Sequence, residues 1–252
     1  MYQISLDGKV ALITGASRGI GRAVALALAD AGADLAICSR QLPSLEEVAN
    51  EITAKGRQVL ALSANVRHKD DLVSLVQKTM EKFGRIDILV NNAGTNPTMG
   101  PIIDLEEWSW DSVMNTNLKA CFLLAQLAGK IMVEQKSGNI INVASTAAFR
   151  ASTTLGAYSI SKAALVMLTR VLAAELRRYN IRVNCIAPGL VRTEFSRALW
   201  ENRPAREGTA EGASLDRLAE AEEMAGAVVF LVSDAASYIN GHTMILDNGG
   251  SA

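Results

Sequence analysis

Val10-Ala11-Leu12-Ile13-Thr14-Gly15-Ala16-Ser17-Arg18-Gly19-Ile20-Gly21 is the stretch on which the fold turns. Val10–Ile13 is a short apolar run with the character of a buried strand. Thr14–Gly21 is a turn with glycines spaced G-x-x-x-G-x-G, and an Ala/Leu-rich helical pattern follows it to about Ala31, with Gly32 as the stop. Strand, glycine turn and helix in that order let backbone N–H groups approach a pyrophosphate, and the helix N-terminus favours its negative charge. Gly15, Ser17, Arg18, Gly19, Ile20 and Gly21 are therefore candidate cofactor contacts.

The same unit recurs outward from this stretch. Leu35–Cys38 reads as a second strand ending in Ser39-Arg40. In dinucleotide folds this position meets the adenosine ribose, where an acid suits NAD and a basic residue suits the 2′-phosphate of NADP. Here Arg40, with Arg18 in the turn, could converge on a phosphate, since guanidiniums present planar, forked donors. The alternative is that both are ordinary solvated arginines. A helix from about Pro43 to Lys55 leads to a third strand, Val59–Leu62, and then Asn65-Val66. Asp70–Phe83 carries Leu72, Leu75, Val76, Met80 and Phe83 at helical spacing, with Gly84 as stop. A fourth strand, Ile86–Val90, runs into Asn91-Asn92-Ala93-Gly94, whose small residues let a flat ligand lie close to the backbone. These repeats with short connections predict an α/β fold: a Rossmann-type, doubly wound, mostly parallel sheet in a single domain.

Asp104–Ile131 is helical in character and reads as two helices broken near Met114–Asn117, because Asn is a poor residue inside a helix. Asn139–Val143 is a fifth strand, ending at Ser145. From Leu155 to Tyr179 a helix puts Tyr158 and Lys162, four residues apart, on one face. An ammonium near a phenol favours the phenolate and lowers a pKa of about 10, which suits general acid–base chemistry. Alone, such a pair arises by chance in roughly one chain in seven of this composition, so its setting decides its meaning. After it come strand Ile181–Ile186, Pro188-Gly189, a helix over Ala219–Leu231 and a last strand, Thr243–Leu246. Residues 193–217 are polar and charged with scattered apolar side chains, and read as an insertion over the site.

Composition narrows the function. In 252 residues, 49% are hydrophobic and the net charge is −1, so no basic excess points to nucleic acid. Met1–Lys9 lacks a signal-peptide pattern, and no run reads as long and apolar enough to span a bilayer. Cys38, Cys121 and Cys185 are isolated and odd in number, which suits a reducing compartment, and Cys38 and Cys185 sit in apolar runs. His68 and His242 lack ligand spacing, so no metal site is expected. The expectation is a cytoplasmic enzyme with a small-molecule substrate and neither nucleic-acid nor membrane partners.

In order, the chain carries Thr14-Gly15-x-x-x-Gly19-x-Gly21, Asn91-Asn92-Ala93-Gly94, Asn117, Ser145, Tyr158-x-x-x-Lys162, and Pro188-Gly189 before Thr193. Together these resemble the short-chain dehydrogenase/reductase family in its compact single-domain branch. The resemblance implies a sheet of about seven strands, a nicotinamide cofactor and a catalytic tetrad of Asn117, Ser145, Tyr158 and Lys162. Tyr158 would exchange the hydroxyl proton, Lys162 would tune it and reach the nicotinamide ribose, Ser145 would donate to the substrate oxygen, and Asn117 would hold a water linking Lys162 to solvent. Asn65, Val66, Asn91, Ala93, Gly94, Pro188, Gly189, Val191 and Thr193 would complete the cofactor wall with Ser39, Arg40, Tyr158 and Lys162. A homotetramer, or else a homodimer, is the family's assembly.

Two departures stand out: Asn65-Val66 replaces the usual Asp-Val, and Ala144 stands where a second Ser is common. The reading that follows is a ketone/secondary-alcohol oxidoreductase with NADP(H) favoured over NAD(H). Its competitors are an NAD(H)-dependent alcohol or sugar dehydrogenase, a non-catalytic dinucleotide sensor of the same fold, and an epimerase or dehydratase of the longer sister branch. Arg150, Arg192, Arg197, Arg203 and Arg206 raise an anionic substrate; Phe149, Phe195, Leu199 and Trp200 equally suit a lipophilic ketone. Glu194, Glu201, Glu207 and Glu211 could simply balance those arginines.

Overall fold

A computed structural model describes residues 4–201 and 217–251. Seven strands pair in the order β3-β2-β1-β4-β5-β6-β7, all parallel. They are β1 (Val10–Thr14), β2 (Asp34–Ser39), β3 (Val59–Ser63), β4 (Ile88–Asn91), β5 (Gly138–Val143), β6 (Ile181–Pro188) and β7 (Thr243–Leu246). The helices are α1 (Gly19–Asp30), α2 (Leu42–Ala54), α3 (Lys69–Phe83), α4 (Glu107–Met114), α5 (Ala120–Gln135), α6 (Gly156–Leu176), α7 (Arg197–Trp200) and α8 (Ala221–Val232).

Parallel strands need crossovers, and these place helices on both faces, so central strands are buried on both sides. Every residue of β1 and β4 is buried. Ile13, Val24, Leu28, Val228 and Leu231 belong to the core layer under α1, α2 and α8; Leu12, Leu89, Leu72, Leu124 and Ile140 belong to the opposite layer under α3 and α5. Burying each such side chain contributes about 1.5–3 kcal/mol. The chain order reverses between β1 and β4, the switch point outside which open α/β sheets bind ligands.

Two sequence expectations change. Asn115–Lys119 forms a π turn that joins α4 to α5 without a break. The asparagines are accommodated by widening the helix one residue, a device common at functional sites. Contrary to the reading that no run could span a bilayer, Gly156–Tyr179 is long and apolar enough to do so by length and composition. Its composition has a source in the fold. Leu165, Val166 and Ala173 are buried on the sheet side, while Ile160, Met167 and Val171 form an exposed apolar row on the outer side.

Candidate active site

A cleft of about 600 Å³ opens across the carboxyl ends of the strands. Its floor begins at the glycine turn. Gly15 and Gly19 adopt φ of +66° and +55°, a region that side chains rarely enter. A Cβ on Gly21 would stand 2.2 Å from the Gly15 carbonyl oxygen, so α1 meets the turn only because this residue is glycine. The neighbouring strand end locks the turn. Asn92 Nδ2 donates to the carbonyls of Thr14 and Gly15 at 3.0 Å, and Thr14 Oγ1 accepts from the N–H groups of Asn92 and Ala93 at 3.1 Å. Sequence reasoning did not foresee this staple, because its partners lie far apart in the chain.

The cleft suits a dinucleotide on three counts. The first turn of α1 carries neither an acidic residue nor a side-chain cap, leaving its N–H groups for an anion. At Gly94 a Cβ would stand 3.6 Å from Asn117 Oδ1 and 3.8 Å from Lys162 Nζ, filling space beside the lysine. Arg18, Ser39, Arg40, Asn65 and Val66 line one end of the cleft. When bound there, the nicotinamide supplies or receives the hydride; the protein supplies orientation and a proton.

At the other end stand Ser145, Tyr158 and Lys162. Ser145 follows β5 and caps a single 3₁₀ turn, Thr146–Phe149, its Oγ accepting from the Ala147 N–H at 3.1 Å. Tyr158 and Lys162 share one face of α6. Lys162 is 4% exposed, donates to the Val143 carbonyl at 2.7 Å and lies 5.5 Å from the Tyr158 ring centre. Asn117 is fully buried behind the wall of the cleft. Its Oδ1 accepts from the Thr95 N–H at 2.8 Å, and its Nδ2 donates to the Thr95 carbonyl at 3.0 Å and to Ser161 Oγ at 3.1 Å. Ser161 Oγ in turn donates to the Tyr158 carbonyl at 2.7 Å. Asn117 thus braces the loop after β4 against the turn that carries Tyr158.

Pro188, Gly189, Val191 and Thr193 also line the cleft, as do Ala93 and Gly94. Asn91 does not: its side chain is buried within the sheet, donating to Asn142 Oδ1 at 2.9 Å. Arg67, Gln41 and Ser44 line the nucleotide end without having been singled out by any motif.

The described residues on either side of the 193–217 segment are joined by a bridge. Val191 and Ala219 form a parallel bridge, and the Arg192 N–H donates to the Ala219 carbonyl at 2.8 Å. Phe195 lies 5.9 Å from the Tyr158 ring, centre to centre. The segment between 202 and 216, with Arg203, Arg206, Glu207 and Glu211, lies outside the described residues. The described arginines are engaged elsewhere. Arg150 donates to the Gly250 carbonyl. Arg192 pairs with Glu220 at 3.0 Å, and Arg197 with Glu201 at 2.6 Å. None of the three lines the cleft.

Comparison with known proteins identifies the family. A family model described as enoyl-(acyl carrier protein) reductase matches residues 15–251. The chain is 41% identical to dehydrogenase/reductase SDR family member 4 of Oryctolagus cuniculus over 97% of its own length and 94% of that protein. A structure described as a candidate short-chain alcohol dehydrogenase of Sinorhizobium meliloti superposes with a TM-score of 0.94 at 40% identity, covering 99% of both chains. A 7α-hydroxysteroid dehydrogenase complexed with NADH and 7-oxo glycochenodeoxycholic acid superposes with a TM-score of 0.90 at 32% identity, covering 99% of this chain and 98% of that one. The chain belongs to the short-chain dehydrogenase/reductase family and is an oxidoreductase of alcohol and carbonyl groups that works with a nicotinamide cofactor.

Proposed function

We propose that the protein is an NADP(H)-dependent reductase of neutral, apolar ketones, with Tyr158 as the proton donor. The observation that carries the cofactor preference is the pair Arg18 and Arg40. Both line the nucleotide end of the cleft, neither forms an ion pair among the described residues, and Ser39 stands where an acid would favour NAD. Ser145 Oγ donates to the substrate oxygen as charge develops there. Tyr158 passes its phenolic proton to the same oxygen, and the Val143 carbonyl holds the Lys162 amine beside that phenol.

Apolar residues in the walls support the substrate class. Met99, Ala147, Leu155, Leu190, Phe195 and Leu199 are apolar, and apart from Lys162 no cation lines this half among the described residues. Among the described residues an acidic substrate would meet no cation there other than Lys162.

Measuring kcat/KM for NADPH and NADH with a panel of cyclic and aryl ketones, and of keto acids, tests this reading. Strong NADPH preference and turnover of the neutral ketones are expected. Equal efficiency with NADH, or a preference for keto acids, overturns the corresponding half. Tyr158→Phe should abolish turnover while leaving cofactor binding intact; a variant as active as wild type removes Tyr158 from its role.

One observation favours a second reading, NAD(H)-dependent alcohol oxidation: the 7α-hydroxysteroid dehydrogenase was solved with NADH. We also propose a homotetramer, supported by the exposed row Ile160, Met167 and Val171 on α6 with Phe122 exposed on α5; light scattering tests it. A cytoplasmic location is proposed on the three unpaired thiols, which suit a reducing compartment.

A further inference from the structure

Arg67 stands beside Arg40 at the nucleotide end of the cleft for a reason built into the sheet. β2 and β3 pair with Ser39 opposite Ser63, the Ala64 N–H donates to the Ser39 carbonyl at 2.9 Å, and Ser63 Oγ donates to the Arg40 carbonyl at 3.1 Å. Neighbouring strands run about 4.8 Å apart, so Arg40 and the turn over residues 65–67 leave the sheet side by side. Both arginines line the cleft.

Asn65 holds Arg67 in place. Asn65 Oδ1 accepts from the Arg67 N–H at 3.2 Å and from its Nε at 3.5 Å. Asp71 is engaged otherwise: its Oδ2 accepts from the Asn65 N–H at 2.8 Å and lies 4.0 Å from His68. Among the described residues no carboxylate pairs with Arg67. An acid at position 65 would sit within reach of the guanidinium and cancel its charge. The amide offers an oxygen of the same shape without the charge, and the outer guanidinium nitrogens keep their donors for a ligand.

We propose that Arg67, held by the neutral Asn65, is a third specificity-determining charge for the 2′-phosphate of NADP(H), and that the amide at position 65 keeps this charge uncancelled. The inference rests on the NADP(H) reading of the cleft.

The test is calorimetric binding of adenosine 2′,5′-bisphosphate and adenosine 5′-monophosphate to the full chain, so no turnover is involved. Wild type should prefer the bisphosphate. Arg67→Gln should cut that preference about tenfold, the size of one charge-assisted contact, and leave the monophosphate unchanged. Asn65→Asp should cut it by a similar factor, and this loss should vanish in the Arg67→Gln background, because the acid acts by pairing with Arg67. Arg67 is exposed, so its replacement leaves the fold intact.

A preference unchanged in Arg67→Gln overturns the inference. So does equal weakening of both nucleotides, which would put the guanidinium on the adenine face. An Asn65→Asp loss that persists without Arg67 reflects plain repulsion and overturns the role of the amide. Should wild type show no preference at all, with Arg40→Ala equally indifferent, the NADP(H) reading itself falls; a wild-type preference that Arg40→Ala removes and Arg67→Gln does not leaves that reading standing and sinks only this one.

Discussion

Lys162 Nζ donates to the carbonyl oxygen of Val143, the last residue of β5, at 2.7 Å. The end of a central strand thus holds the lysine of α6 beside Tyr158. A lysine chain in water samples many rotamers; here one is selected by a fixed backbone acceptor and by burial. Lys162→Met keeps much of the volume and removes the donor and the charge. Turnover should fall about 10²- to 10⁴-fold, the range for loss of acid–base assistance. Steady-state kinetics with a saturating ketone checks it, and a loss below about threefold would remove Lys162 from the chemistry.

The β5 end is itself braced. Asn142 Nδ2 donates to Thr169 Oγ1 at 2.9 Å, Thr169 Oγ1 donates to the Leu165 carbonyl at 2.9 Å, and Asn91 Nδ2 donates to Asn142 Oδ1 at 2.9 Å. Asn142 and Thr169 are fully buried. Thr169→Val leaves the Asn142 amide without its acceptor and should cost about 1–3 kcal/mol of stability. Urea unfolding measures this. Thr169→Ser, which keeps the hydroxyl, should recover most of the loss.

Gly21 has no room for a side chain. A Cβ there would lie 2.2 Å from the Gly15 oxygen and 2.4 Å from Asn92 Nδ2. Gly21→Ala must push α1 off the turn or break the Asn92 staple, a strain of about 1–3 kcal/mol. Thermal unfolding should show the loss, and NADPH fluorescence titration should show weakened binding. By contrast a Cβ on Gly226, in α8, meets nothing within 4 Å, so Gly226→Ala should be neutral or stabilising.

Burial raises all three thiols. Cys38 goes from the ordinary 9.0 to about 12, and Cys121 and Cys185 to about 11. A raised folded-state value means the native state holds protons that the unfolded chain releases. This contribution to stability is complete below 9.0 and is lost as pH rises toward 11 and 12. The native protein should therefore resist iodoacetamide at about pH 8 and react at all three sites once unfolded. Mass spectrometry of the labelled chain counts the sites; fast labelling of native protein would contradict the burial.

Phe195, at the leading end of the 193–217 segment, lies 5.9 Å from the Tyr158 ring, centre to centre. Phe195→Ala should raise KM for apolar ketones about tenfold and leave the dissociation constant of NADPH unchanged. Equal effects on both ligands would place Phe195 in the cofactor wall.

Much of this was legible along the chain because its signals are local. A short apolar run, a turn needing glycine at positive φ and a helix of period 3.6 are each written in a dozen neighbouring residues, and their repetition dictated parallel strands with helices on both faces. Tyr158 and Lys162 needed only helical spacing to share a face. What tertiary structure alone decided concerns partners distant in sequence. Asn91 stood in a motif that suggested cofactor contact, yet its side chain turns into the sheet, because β5 brings Asn142 opposite it. Arg150, Arg192 and Arg197 raised an anionic substrate until the Gly250 carbonyl, Glu220 and Glu201 were found to take them up. Arg67 carried no motif at all, and becomes a cleft residue only because β3 lies against β2. Local periodicity decides which elements form; which polar groups stay free to act depends on what packing brings within hydrogen-bond reach.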